Sequence, residues 1–254
     1  MSNLTEQKRD FWNDRAKLGD ISGSNDFMLK KVETDFILRY LPRGGRILDI
    51  GCGNGETLIA ACEKLGCEGM GLDFSPEMVA LSKQNAKKFE KKLSFAQADL
   101  RALPTNIGQF DAVYVQRSLI NLNSVEEQKA AFESIMGFVK PGGVFVMVEC
   151  TVDGQNRTNA QRKLLGLEKM EIPWHNLFFS IAEVESWQTS EYKIEHFDHL
   201  SSTYHFLSRV VYAALADENG EELKYDSQIN KLSLRLPPNI GDFGPVKGWI
   251  WRKS

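Results

Sequence analysis

The chain is poor in the residues that build metal centres, with four cysteines and four histidines among 254 residues. Cys52, Cys62, Cys67 and Cys150 form no CxxC pair, and no histidine cluster supplies metal-ligand spacing. The expectation is reduced, partly buried thiols and no bound metal. A basic excess is also missing. Lys and Arg number 31 against 34 Asp and Glu, a net charge of −3. That balance leaves no electrostatic footprint for duplex nucleic acid, whose affinity comes mostly from phosphate contacts. No apolar run approaches the roughly 18 residues of a spanning helix, and Met1 to Asp10 holds no apolar signal segment. A cytoplasmic protein without a membrane partner is expected. Repeats and low-complexity linkers are absent, and the basic run Lys87 to Lys92 reads as a solvated helix end. Hydrophobic residues at 42% and charged residues at 26% are ordinary for a globular chain, which excludes disorder and collagen-like structure.

What is present is alternation. Arg46 to Ile50, Glu68 to Asp73, Leu93 to Gln97, Phe110 to Val115 and Val144 to Val148 read as strands. Between them lie helical stretches: Glu56 to Leu65, one opened by Ser75 and Pro76, and one opened by the Ser124/Glu127 capping box that stops at Pro141-Gly142-Gly143. Strands alternating with helices predict an α/β fold, a mostly parallel sheet with helices on both faces. Two helices, about Thr5 to Leu18 and Asp26 to Leu41, precede it. After it come a polar loop, Thr151 to Asn159, a helix, and the aromatic segment Ile172 to Phe179. A second capping box (Ser180, Glu183) and a sixth strand, Tyr192 to Phe197, follow. Ser201 to Ala216 and Gly220 to Leu234 read as helices, and Val246 to Lys253 as a last strand. The expected division is residues 1–45 as helices covering a ligand site, and residues 46–254 as the main domain with a helical cap at about 200–235.

The sharpest motif is Asp49-Ile50-Gly51-Cys52-Gly53-Asn54-Gly55, between the first strand and its helix. Glycines there let backbone approach a ligand and direct helix N-terminal N–H groups at it. The dinucleotide pattern GxGxxG is not met, because position 56 is Glu and the third glycine comes one residue early. Asp49 beneath the loop suits a cation better than a diphosphate. Asp73 ends the second strand, where an acid accepts from both hydroxyls of a ribose. Asp99 follows the third, placed to accept from an adenine amino group while Leu100 packs on its face. In an open parallel sheet these strand ends share one crevice.

Taken in this order, Asp49, Gly51, Gly53, Gly55, Asp73, Asp99 and the run Val139-Lys140-Pro141-Gly142-Gly143 resemble the class I S-adenosylmethionine-dependent methyltransferases. The resemblance covers about residues 30–150. It implies a Rossmann-like sheet of seven strands, the last antiparallel, and S-adenosylmethionine as cofactor. Asp73, with Phe74 beside it, would hold the ribose, and Asp99 and Leu100 the adenine. Gly51, Cys52, Gly53, Gly55 and Gln116 would line the methionine end. Trp12 and Arg15, in Phe11-Trp12-Asn13-Asp14-Arg15-Ala16, look like the residues with which some relatives close over the methionine carboxylate. An amphipathic helix with a surface arginine is the other reading.

Candidate catalytic residues are few. His175, in Pro173-Trp174-His175-Asn176, either lines an acceptor pocket or anchors the next helix. Tyr204 and His205 start the cap with Arg209 one turn on, a polar group suited to sugar hydroxyls or an anionic substrate. Arg117 and Asn121 follow the fourth strand, on the loop that faces the transferred methyl group in this fold. The loop lacks the Asn/Asp-Pro-Pro-Tyr pattern of amino-methylating nucleic-acid enzymes and the acid of metal-assisted enzymes, and Glu149 stands alone where arginine methyltransferases have a glutamate pair. A small-molecule acceptor is therefore expected. Arg117 to Leu122 and Pro173 to Phe179 are similar to stand-alone bacterial methyltransferases of polysaccharide or lipopolysaccharide precursors. O-methylation of a sugar or related metabolite leads. N-methylation of a small amine or natural product, and a non-catalytic cofactor-binding module, are the alternatives. Oligomeric state is not legible.

Overall fold

Apolar runs between glycine turns build the core of the computed structural model, which describes residues 3–254. The strands are β1 (Arg46–Ile50), β2 (Glu68–Asp73), β3 (Leu93–Gln97), β4 (Phe110–Gln116), β5 (Val139–Cys150), β6 (Tyr192–Asp198) and β7 (Val246–Lys253). They form one seven-stranded sheet in the order β3-β2-β1-β4-β5-β7-β6. The strands β1 to β5 are parallel, and β7 runs antiparallel to β5 and β6. The chain order reverses between β1 and β4, so a crevice opens there at the strand C-termini. β1, β4 and most of β5 are buried, as expected of strands covered on both faces.

The helices are α1 (Asn3–Ala16), α2 (Phe27–Tyr40), α3 (Glu56–Leu65), α4 (Pro76–Asn85), α5 (Val125–Phe138), α6 (Val152–Leu164), α7 (Ile181–Glu185), α8 (Ser202–Phe206), α9 (Tyr212–Asn219) and α10 (Gln228–Ser233). Ser75 and Ser124 cap α4 and α5 as their sequences predict, accepting from the N–H groups of Met78 and Glu127. α5 ends at Phe138, and Pro141-Gly142-Gly143 lies within β5, beside a register shift against β4. Of the first 45 residues, α2 is built into the core through Phe36 and Ile37. By contrast α1 lies over the crevice, where Lys8 and Trp12 reach it.

Three expectations for the second half are corrected. Thr151 to Asn159 is not a loop: Thr151 caps α6 by accepting from Gly154 N–H. Its polar sequence concealed the helix because the inward face carries Gly154, Gln155 and Thr158. A side chain at Gly154 would stand 1.8 Å from the Gly244 carbonyl oxygen, so close backbone approach replaces apolar burial there. Ser201 to Ala216 is not one regular helix, since Leu207–Val211 is a π-helical turn between α8 and α9. In Gly220 to Leu234 only Gln228–Ser233 is helical, because Gly220 (φ 66°) ends α9 in a left-handed cap.

Candidate active site

A cavity of about 460 Å³ runs from the C-terminal ends of β1, β2 and β4 under α1 to the cap. At one end lies the glycine loop. Gly51 has φ 79°, and a Cβ there would stand 2.3 Å from Cβ of Ser118, so a side chain is excluded. Gly53, at φ 52°, has open space where a Cβ would project, and it lines the cavity. Gly55 instead turns away as the N-cap of α3, packed against Phe95 and Ser82, and is not part of the lining. Cys52 lines the cavity, and burial pushes its thiol well above the usual range.

Asp73 ties the loop to β2. Its carboxylate accepts from Gly53 N–H at 2.8 Å and from Ser75 N–H at 2.9 Å, one bond to each oxygen. A carboxylate has about four acceptor positions, so roughly two remain for a vicinal diol. Asp49 is buried and accepts from the Tyr114 hydroxyl at 2.6 Å. Burial pushes its carboxyl up to about 8, with the Tyr114 bond opposing. A carboxyl held neutral there becomes a favourable counter-ion once an ammonium arrives. Phe74 and Leu100 line the same end. Asp99 does too, but Arg101 holds both of its oxygens, with Nε donating at 2.9 Å. Burial pushes the Asp99 carboxyl up, yet the Arg101 bonds outweigh it and keep it below its usual range. Its remaining capacity for an adenine amino group is correspondingly smaller than the sequence suggests.

Trp12 lines the cavity and donates from Nε1 to Asn121 Oδ1 at 3.2 Å. Arg15 does not. Its guanidinium donates to the carbonyls of Ser22 and Ile21, bracing the chain after α1. Gln116 lies in the lining with its amide engaged, donating to Glu33 and accepting from Thr57.

The other end gathers the candidate catalytic residues. Arg117 lines the cavity and donates from Nε to Glu33 Oε2 at 3.1 Å. Burial pushes Glu33 up, and the adjacent Arg117 opposes it. His175 stacks on Phe11, ring centroids 4.4 Å apart, and meets Trp12 and Trp174 edge-on. The same ring also lines the cavity, and its aromatic contacts are to α1 and the neighbouring Trp174, not to the helix that follows. Burial pushes it down to about 4. His205 is buried, lines the cavity and has Nδ1 3.0 Å from the Ser201 carbonyl; burial, then Arg209, push it down to about 3. Tyr204 is not in the lining, and its hydroxyl donates to Asp26 at 2.6 Å.

Sequence reasoning passed over Lys8, Asp26, Glu33 and the role of Glu149. Lys8 Nζ donates to the carbonyls of Asn121 and Leu122, holding α1 on the loop after β4. Glu149 accepts from Ser118 and Leu119 N–H at 2.9 and 2.7 Å and fixes that loop from below; burial pushes it up to about 8. An acid at the end of a fully apolar strand was the available signal for Glu149. Glu33 and Asp26 gave none, because their partners are distant in sequence. Among the described residues no cluster of metal-ligating side chains occurs, and no helix is long and apolar enough to cross a membrane.

Residues 47–143 match the family model described as a methyltransferase domain. The Bacillus subtilis protein YqeM is 37% identical over 44% of this chain and 45% of its own length. The demethylmenaquinone methyltransferase of Thermus thermophilus is 31% identical over 51% of this chain and 57% of its own. The chain thus spans about half the length of the curated relatives it matches. Among solved structures, a chain of the Haloferax volcanii complex containing the Trm112 methyltransferase activator superposes with a TM-score of 0.65 at 18% identity, covering 96% of this chain and 97% of that one. The magnesium protoporphyrin IX methyltransferase of Synechocystis, with bound S-adenosylhomocysteine, gives 0.62 at 16% identity, covering 98% of this chain and 100% of the other. Those two likenesses speak for the fold, and the glycine loop and acids lie inside the matched domain. Residues 47–143 thus carry a methyltransferase domain, set in a sheet whose order is that of the methyltransferase structures it superposes on.

Proposed function

We propose that the protein transfers the methyl group of S-adenosylmethionine to a small polar acceptor, with oxygen of a sugar or related metabolite as the receiving atom. The observation that carries the cofactor half is the Asp73 carboxylate, locked by Gly53 and Ser75 N–H with acceptor positions left facing the cavity. When bound, the cofactor supplies an electrophilic methyl on a positively charged sulfur. Asp73 would hold its ribose hydroxyls, Asp49 its ammonium, and the open face at Gly53 would admit its main chain. Phe74 and Leu100 would flank its base, with Asp99 beside them.

The chain's further contribution is alignment and exclusion of water. α1 covers the crevice, with Trp12 bonded to Asn121, and the loop Arg117 to Asn121 is held by Glu149 and Lys8. His175 and His205 are both neutral imidazoles at neutral pH, so each keeps one ring nitrogen that can accept a hydrogen bond from an acceptor hydroxyl. Their low basicity makes them weak proton acceptors, and orientation of the hydroxyl is their main effect. Titration calorimetry with S-adenosylhomocysteine and with NAD, then turnover of radiolabelled S-adenosylmethionine with sugars and sugar acids, tests the reading. Binding of the first nucleoside alone, with label reaching oxygen, is expected. Binding of NAD instead would overturn the reading. Tight cofactor binding with no turnover would favour the non-catalytic module, and label on nitrogen the amine alternative.

A further inference from the structure

Two arginines line the cavity, each bonded to an acid and each with at least one donor left over. Arg117 uses only Nε within the protein, on Glu33, and its two terminal nitrogens carry no bond to the chain. Arg209 lines the same cavity, donates to Asp26 and Ser208, and leaves Nε free. His205 lines the same cavity as both arginines, and after burial the charges of Arg209, Lys247 and Arg117 all depress it. The cavity's lysines are already engaged, Lys8 on carbonyls and Lys30 on Glu56 and the Asp20 carbonyl.

The backbone singles out the same two residues. Among the described residues Arg117 is the only non-glycine with positive φ, at 54°. Arg209 sits inside the π-helical turn Leu207–Val211, the only one among the described residues. Unfavourable backbone of either kind concentrates where a side chain must be aimed at a ligand. At Arg117 a planar fork with free terminal N–H groups matches a carboxylate, and Arg209 can add a single donor, its Nε. The counter-charges limit the ligand's charge: with Asp26 and Glu33 already beside the guanidiniums, a monoanion fits better than a phosphate dianion. His205 adds a second requirement. With its Nδ1 proton on the Ser201 carbonyl, Nε2 presents a lone pair, which repels a carboxylate oxygen but accepts from a hydroxyl.

We propose that Arg117 and Arg209 form a carboxylate subsite beside His205, so that the acceptor is a hydroxylated carboxylic acid such as a sugar acid. This rests on the methyl-transfer reading above and narrows its acceptor class. The test loads the protein with S-adenosylhomocysteine and titrates matched pairs at constant ionic strength: glucuronate against glucuronamide, and lactate against lactamide. At least one acid should bind about 10-fold or more tightly than its amide. Arg117→Gln and Arg209→Gln should each erase that preference while changing S-adenosylhomocysteine affinity by less than about 3-fold. If Arg209→Gln fails to fold because Asp26 loses its partner, Arg117→Gln decides, since the buried Glu33 keeps its bond from the Gln116 amide and is pushed by burial toward its neutral form. Equal response to acid and amide in both pairs, or a preference that survives Arg117→Gln, would overturn the subsite. Failure of the unmodified protein to bind S-adenosylhomocysteine would instead sink the cofactor reading, so the two failures are distinguishable.

Discussion

Replacing Asp73 by Ala should damage the protein in two separable ways. The carboxylate accepts from Gly53 and Ser75 N–H at 2.8 and 2.9 Å, and it faces the cavity. A hydrogen bond to a charged group contributes about 1.5–3 kcal/mol. Losing the bonds to a ribose diol should therefore cost roughly 2–4 kcal/mol of binding, about 30- to 1,000-fold in affinity. Release of the glycine loop should lower folding stability by about 1–2 kcal/mol, because water can reach the freed Gly53 N–H. Cys52→Ala is the control. That thiol is buried and uncharged and makes a 3.9 Å contact to the Gly53 carbonyl, so its loss leaves a small void and removes no charged partner of a ribose. Calorimetry with S-adenosylhomocysteine and thermal unfolding of the two variants separate the effects. Asp73→Asn should fall between, since an amide keeps the shape but turns a donor toward Gly53 or Ser75. Equal affinities for Asp73→Ala and Cys52→Ala would refute the ribose role.

Three further outcomes are expected. Asp49, raised to about 8 by burial, must lose a proton to meet an ammonium, so S-adenosylhomocysteine affinity should rise up to tenfold per pH unit between about pH 6 and 7.5. Without ligand, the same raised carboxyl and that of Glu149 favour the folded state at low pH, and this stability is lost as pH rises toward 8. Asp49→Asn should abolish the pH dependence of affinity; a flat profile in the unmodified protein would contradict the assignment. Gly51→Ala meets Ser118 at 2.3 Å, while Gly53→Ala meets nothing within 4 Å. The first should lower both melting temperature and cofactor affinity, the second chiefly affinity, beyond about 1–2 kcal/mol of backbone strain in each. Reversed behaviour would mean that the loop faces the other way. Finally, the ring proton resonances of His175 and His205 should not titrate between pH 8 and 5, given values of about 4 and 3, and a midpoint near 6.5 for either ring would show it is not buried as described.

Local pattern carried the sheet, and carried it well wherever neighbours in sequence decide the outcome. Apolar runs read directly as β1 to β5, an N-cap serine with proline marked α4, capping boxes marked α5 and α7, and strand-terminal acids lie at one edge because parallel strands place their C-termini together. Where burial was achieved by polar or small residues the pattern was silent. α6 hides its helix behind Gly154 and Thr158 pressed on Gly244, and the stretch after Gly220 has helix-forming composition but little core to dock on.

The site divides the same way. Asp49, Gly51, Gly53 and Asp73 could be placed from sequence because each acts within its own strand end or loop. Arg15, which reads as a ligand-facing donor, turns back to carbonyls six and seven residues on, a choice made by how α1 meets the following turn. The pairs Arg117–Glu33 and Arg209–Asp26 join residues 84 and 183 positions apart. No local rule predicts such contacts, since they exist only after α2, the loop beyond β4 and the cap have packed around one cavity. Sequence alone determined the sheet and the glycines and acids gathered at its strand ends. Tertiary packing alone decided which arginine donors in the cavity remain unbonded, because that depends on which acids the fold brings beside them.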